Sequence, residues 1–335
     1  MPHPNKDDYI TFLFNLIDEF QNAQTQNKQP GHPYDYETRS LICFFAIMIL
    51  KRCFAFKAMN RWLKLNANEA QKLGFSSIPS RWTLSRRFKA LYEVIKQLVA
   101  FTGQWASPLG EEFQTEAIYE AIYEDKSLFK AKGPVWHKKD MQNNHIPEKL
   151  RNLDTDATWG KSAYHGWVYG YALHSTCTSS GFPILLEVDT ASVSEQEVIK
   201  LKDEAIFSMN TGYIITDDGY TDFDKIRAYA QKGVLLVTPA LRVKKPMVEG
   251  YRQFTRECIY WLCVKSRKAI IEPLFDLISH LLDTTDNHKQ LPMKGKSNVK
   301  SFLAYGVMLT QLALLMNSIY GLSFHNISHL LTVFL

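Results

Sequence analysis

Apolar residues recur at helical spacing over 8–23 and again over 38–66, with few strand-like alternations. Inside the second stretch, LICFFAIMIL (41–50) is apolar on every side. That is the pattern of a buried helix, and it is too short to cross a membrane. Between the two stretches, AQTQNKQPGHPYDYE is polar and carries Pro and Gly, so it reads as a loop. Ser80 stands where an N-cap belongs, ahead of a helix predicted to run to about Thr102. A short helix, a turn containing Gly74 and Pro79, and this basic helix together predict a helix-turn-helix-like unit around 70–102.

From Thr115 the pattern changes. AIYEAIYED holds short apolar runs that fit strand or helix. GWVYGYALHSTCT and FPILLEVDTAS are rich in β-formers and read as strands. SVSEQEVIKLKDEAIFSM has the spacing of one amphipathic helix. GYIITDDGY is a buried strand ending in a turn, FDKIRAYAQKG is a helix stopped by Gly233, and VLLVTPA is another strand. Residues 248–335 return to mostly helix. The predicted order is β, a long insertion, β-β-α-β-α-β, then helices. Ser301 to His325 lacks Asp, Glu, Lys and Arg over a length that can span a bilayer. Thr310, Gln311, Asn317 and Ser318 inside it favour a packed helix over a membrane span.

Charge sharpens this division. The first 110 residues hold 14 Lys and Arg against 8 Asp and Glu, a balance of +6, while the whole chain is only +5. A phosphate-binding surface needs such an excess, and Arg81, Arg86, Arg87 and Lys89 crowd the helix after Ser80. Hydrophobic content of 46% and charged content of 22% over 335 residues exclude a disordered chain. The five cysteines have no disulfide-like spacing and complete no zinc set, and no secretory pattern opens the chain. A cytoplasmic protein is expected.

Three carboxylates carry the chemistry. Asp125 closes AIYEAIYED, Asp217 follows the apolar run GYIIT, and Glu272 lies in the helical stretch KSRKAIIEPLFDLISHLL. Acids that converge without Cys or His suit hard ions such as Mg²⁺. A pair of such ions about 3.5–4 Å apart serves in-line displacement at phosphorus. Arg242, Lys244 and Lys245 after the last predicted strand, and Lys265, Arg267 and Lys268 beside Glu272, are candidates for holding phosphates. Trp136, Trp159 and Trp167 are candidates for stacking on a base or for the core.

With DKSLFKAKGPVWHKKD (125–140), LDTDATWGKSAYHGWVYGYALH (153–174), DDGY (217–220) and IEPLF (271–275) in that order, the chain resembles a bacterial insertion-sequence DDE transposase. The resemblance covers about residues 38–325. It implies a mixed α/β fold: an RNase H-like core with a mixed five-stranded sheet flanked by helices, preceded by an all-helical region. The expected division is a DNA-binding region over 1–110 and a catalytic domain over 111–335, with an insertion around 130–162 and a C-terminal helical segment. Asp125, Asp217 and Glu272 become the catalytic acids and ligands of two Mg²⁺ ions, with Mn²⁺ as the alternative. Asp154 and Asp156 compete for the first place, because Asp156-Ala157-Thr158 also fits the local pattern. Lys126 departs from the small residue usual after the first acid. Lys268 fills the family's basic place four before the third acid, and Ser279 stands where a lysine is common. Pro273 implies a helix that starts or kinks there. The implied partners are double-stranded DNA, as terminal inverted repeats and target, and a second copy of the chain in a synaptic dimer, with no membrane. A degenerate transposase that holds DNA without cutting, and a nuclease of the same fold without strand joining, are the rival readings.

Overall fold

LICFFAIMIL folds as predicted. It forms most of α2 (Thr38–Leu50), with every residue from Ser40 to Leu50 buried. The computed structural model describes residues 3–24, 35–111, 121–162, 166–209, 211–239, 265–285 and 289–335. Around α2 pack α1 (Lys6–Ala23), α3 (Phe56–Leu65) and the short α4 (Ala67–Lys72). Asn5 opens α1 with a reciprocal capping box to Asp8. Ser80 caps α5 (Arg81–Ala90) by accepting from Thr83 N. The expected single helix from there is interrupted at Leu91, whose N–H bonds the Phe88 carbonyl, and α6 (Tyr92–Glu111) continues past Thr102.

The sheet has six strands. β1 (Ala121–Lys130) is central, antiparallel to β3 (Gly166–Thr178) and parallel to the short β5 (Tyr213–Ile215). Beyond β5 lies β6 (Leu235–Val237), also parallel. The other edge of β3 carries β2 (Thr158–Ser162) along its first half and β4 (Pro183–Thr190) along its second. The order β4-β3-β1-β5-β6, with three antiparallel strands followed by two parallel ones, is the mixed sheet of an RNase H-like fold. The added strand β2 and the short helix α7 (Lys138–Gln142) fall inside the expected insertion. Gly170 allows the close approach of β3 to β1, since a Cβ there would overlap the Phe129 carbonyl oxygen.

Helices cover both faces. Side chains alternate along β1, so Tyr123, Asp125, Ser127 and Phe129 face one way and Ile122, Glu124, Lys126 and Leu128 the other. Over the second face lie α8 (Glu195–Lys200), α9 (Asp203–Ser208) and α10 (Phe223–Gln231). The amphipathic stretch expected as one helix is thus two, parted at Leu201 and Lys202. Lys202 turns inward there to reach Glu124. Gly233, at φ +82°, follows α10 as the pattern predicts.

Over the first face lie α11 (Arg267–Leu281) and α12 (Lys296–Ile319), and α13 (Ser328–Phe334) closes the described chain. Among the described residues α12 is the one helix long and apolar enough to cross a membrane, and 89% of its apolar window is buried inside the protein. Its polar residues are used internally. Gln311 donates to the carbonyls of Val99 and Pro183, and Asn317 to those of Phe324 and Asn326. Phe88 of α5 stacks on Tyr305 of α12 with ring centroids 5.7 Å apart, and Ser301 donates to the Phe88 carbonyl. Each such ring pair contributes about 0.5–1.5 kcal/mol beyond its buried area. Residues 1–110 and the sheet therefore share one hydrophobic core through α12.

Candidate active site

Register brings the first two acids together. Tyr123 of β1 pairs with Ile215, the last residue of the parallel β5, and two residues further along the chain stand Asp125 within β1 and Asp217 just past β5. Asp217 keeps an extended backbone and caps the 3-10 turn Asp218–Tyr220 by accepting from Gly219 N at 2.8 Å. Asp125 does not end its strand, as the sequence pattern implied. β1 runs on to Lys130 because β3 continues to pair with it.

Glu272 projects from α11 over the same point. Asp125, Asp217 and Glu272 line one cleft of about 540 Å³, together with Glu195, Arg267 and Lys289. Arg267 pairs with Asp125, and its guanidinium reaches to 4.0 Å from Glu272. Burial pushes the Asp125 carboxyl up to about 7, with Arg267 opposing the rise and Asp217 adding to it. Burial raises Asp217 in the same direction, again against Arg267. The two acids therefore share the cost of confinement, and cationic neighbours keep that cost bounded.

Glu195, Lys126 and Lys289 were not singled out as site residues from the sequence. Glu195 opens α8 behind the N-cap Ser194 and pairs with Lys126. Gly219 leaves room beside it: a Cβ there would stand 3.0 Å from Asp217 Oδ1 and 3.1 Å from the Glu195 carboxyl carbon, so that both carboxylates would have to shift by a few tenths of an ångström. The lysine after the first acid is thus held by a further carboxylate on the second face of the sheet. Lys289 donates to Ser127 Oγ at 3.0 Å. It brings to the cleft a lysine of the kind that is missing at Ser279, which is buried and bonded to the Phe275 carbonyl. No sequence signal singled out Lys289, which lies well beyond α11.

The competing acids are occupied elsewhere. Asp154 accepts from Tyr171 Oη at 3.0 Å and from Gly295 N at 3.0 Å, and Asp156 accepts from Lys296 N at 2.8 Å. They tie the sheet edge to the start of α12, where free N–H groups need acceptors. Neither lines the cleft. Pro273 lies inside α11, which begins six residues earlier at Arg267 rather than at the proline.

The expected phosphate-binding residues divide. Arg81, Arg86 and Lys89 are exposed on α5, with Arg81 stacked 4.6 Å over the exposed ring of Trp82. Arg87 is buried and donates to Thr38 Oγ1, which removes it from that surface. Lys265, just before α11, and Lys268, in its first turn, are exposed, whereas Arg267 turns into the acid cleft. Arg242, Lys244 and Lys245 lie outside the described residues. Trp136 is buried and donates to the His145 carbonyl, and Trp159 donates to the Trp136 carbonyl. Trp167 is 58% exposed in an adjoining cleft that shares Lys126, Lys161, Glu195 and Asp217 with the acid cleft.

The donor chemistry of the cleft fits a hard divalent ion, since it offers carboxylates and the Ser127 hydroxyl with no Cys or His. Among the described residues, no three His, Cys, Asp or Glu side chains already stand close enough to enclose an ion. The acids meet a guanidinium there instead.

One family of known proteins matches part of this sequence. Residues 138–289 match the family model described as "Transposase DDE domain", a span that includes Asp217 and Glu272 and begins after Asp125. No curated protein matches. A solved structure, "Crystal structure of a pre-cleavage Mos1 transpososome", is similar at 10% identity over 92% of this chain and 95% of that one. Its TM-score is 0.21, so the fold assignment rests on the strand order above. Residues 138–289 thus match a transposase DDE domain, within a chain whose sheet has the RNase H-like strand order.

Proposed function

We propose that this chain is an active, metal-dependent transposase of the insertion-sequence kind, which cuts DNA at element ends and joins the freed 3′-hydroxyl to target DNA. The observation that carries the reading is the convergence of Asp125, Asp217 and Glu272 on one cleft, in a chain with a transposase DDE domain. Asp125 within β1 and Asp217 just past the parallel β5 would hold divalent ions, Mg²⁺ or Mn²⁺, with Glu272 completing the set from α11. Two such ions supply activation of the attacking oxygen and stabilisation of the leaving one. Arg267 and Lys289 set positive charge where the scissile phosphate gathers negative charge. Arg81, Arg86 and Lys89 on α5, with Lys265 and Lys268, would grip the DNA backbone, and Arg242, Lys244 and Lys245 are further candidates. Two ends cut in concert imply a dimer on DNA, working where the chromosome lies.

The test is Asp217→Asn. An ion needs the carboxylate charge, while affinity for DNA comes mainly from phosphate contacts made elsewhere. Mg²⁺-dependent cleavage of an end-bearing duplex should vanish and binding of that duplex should persist. Cleavage near the wild-type rate would reject the reading.

A second reading is favoured by Arg267, which pairs with the first acid. In it, the chain holds DNA without cutting. Absence of cleavage by the wild-type protein in both Mg²⁺ and Mn²⁺, with end binding intact, would select it.

A further inference from the structure

Behind the acids, on the opposite face of the sheet, lies a buried ionic network. Glu124 and Lys202 are almost wholly inaccessible, with Lys202 Nζ 2.9 and 2.8 Å from the two Glu124 carboxylate oxygens. Lys202 also donates to the His174 carbonyl at 3.3 Å and to Thr176 Oγ1 at 3.2 Å, and Thr176 in turn donates to Glu124. Tyr220 Oη donates to Glu124 Oε1 at 3.2 Å and lies 3.3 Å from His174 Nδ1. Since the single Tyr220 hydroxyl proton goes to Glu124, His174 Nδ1 is the donor to Tyr220. That leaves His174 Nε2 as a buried acceptor without a partner.

Stability does not account for such a cluster. A buried ion pair gains little over apolar side chains of the same volume, because desolvation offsets the attraction. Its place in the fold suggests another use. Glu124 is the residue before Asp125, on the other side of the same strand. Tyr220 closes the turn that Asp217 caps. Lys202 marks the break between α8 and α9, and α8 begins with Glu195. One carboxylate thus ties together the three segments that bring Asp125, Asp217 and Glu195 to the cleft.

We propose that Glu124, Lys202 and Tyr220 are positioning residues that hold the Asp217 turn in register with Asp125 and so set the affinity of the acid cleft for divalent cations. The proposal rests on the metal-site reading above. None of the three touches an ion. They act through the two strands, as outer-shell groups orient the carboxylates of a metal site.

The experiment measures Mn²⁺ binding directly, by paramagnetic resonance of free Mn²⁺ with the full chain in the absence of DNA. It compares wild type with Asp217→Asn, Tyr220→Phe and the control Tyr229→Phe. Tyr229 is another buried tyrosine, whose hydroxyl bonds Asp203 away from the cleft. Tyr220→Phe keeps the ring and loses only the hydroxyl. It should weaken Mn²⁺ binding about tenfold, while its metal-free melting temperature falls no further than that of Tyr229→Phe. Tyr229→Phe should bind Mn²⁺ as wild type does. If Asp217→Asn abolishes binding but Tyr220→Phe matches wild type, the positioning role is overturned and the metal site stands. If Tyr229→Phe weakens binding as much as Tyr220→Phe, the effect is general loosening and the positioning role is again overturned. If Asp217→Asn binds Mn²⁺ as wild type does, the metal-site reading falls and this proposal falls with it.

Discussion

Arg267, in the first turn of α11, sets its guanidinium against Asp125 in the middle of β1, and the same group reaches to 4.0 Å from Glu272. A fixed positive charge thus occupies the focus of the acids. Cations that bind carboxylates compete for the same oxygens. Arg267→Gln should therefore tighten Mn²⁺ binding at pH 8 while slowing cleavage, because a phosphate-facing charge is lost. Weaker Mn²⁺ binding in the variant would show instead that Arg267 assembles the acids.

The raised carboxyl of Asp125 gives a pH dependence of defined sign. Its ordinary value is about 3.9, and in the fold burial carries it to about 7. The folded protein thus holds an extra proton between those values. For this group, stability without metal is fully present below about pH 4 and is lost as pH rises through about 7. An ion must displace that proton, so the Mg²⁺ concentration needed for half-maximal cleavage should rise about tenfold for each unit below about pH 7. Mg²⁺ titrations on either side of neutrality measure it. A flat requirement would remove Asp125 from the ligand set.

Asp154 offers the opposite behaviour. It anchors Tyr171 and the start of α12 and lies outside the cleft. Hydrogen bonds to a charged group are worth about 1.5–3 kcal/mol each. Asp154→Ala should lower the unfolding free energy by at least that much, whereas Asp125→Asn should abolish cleavage in a protein that still folds. Denaturant unfolding and a cleavage assay on both variants decide the matter. A stable, inactive Asp154→Ala would return it to the list of catalytic acids.

Arg86 and Arg87 are neighbours with different duties. Arg86 is exposed on α5, while Arg87 is buried against Thr38. Arg86→Ala should weaken binding to any duplex and reduce the slope of log affinity against log salt by about 0.9. Arg87→Ala should lower the melting temperature and leave that slope unchanged in the protein that remains folded. Equal salt slopes for wild type and Arg86→Ala would move the DNA surface away from α5.

Much of this arrangement is legible in the chain before folding. Strands β3, β4 and β5 announce themselves through runs of aromatic and branched residues, and the Asp-x-Gly-Tyr turn marks Asp217. Ser80 and Gly233 delimit their helices through cap and positive-φ chemistry. What stays hidden is tertiary. Lys202 has the spacing of a surface lysine on an amphipathic helix, and its bond to the buried Glu124 of β1, at the break between α8 and α9, is visible only in the fold. Lys289 comes to the cleft from beyond α11, and no local pattern carries that information. Arg87 is indistinguishable from Arg86 until α2 packs beside it. Asp125 looks like a strand terminus because Lys126 and Ser127 follow it, and pairing with β3, joined at Lys130 by residues 289–291, keeps the strand going.

The long buried helix α12 has one further consequence. It is packed against α5 and α6 on one side and against β4 on the other. Through it, α5 and the strand that bears Asp125 belong to one hydrophobic core. If α5 grips DNA and the acid cleft cuts it, the span between the two is a property of the core itself, like the throat depth of a rigid punch. Where the cut falls relative to the bases held would then be read from packing, and changing that offset would require re-engineering Phe88, Ser301 and Tyr305 rather than lengthening a linker.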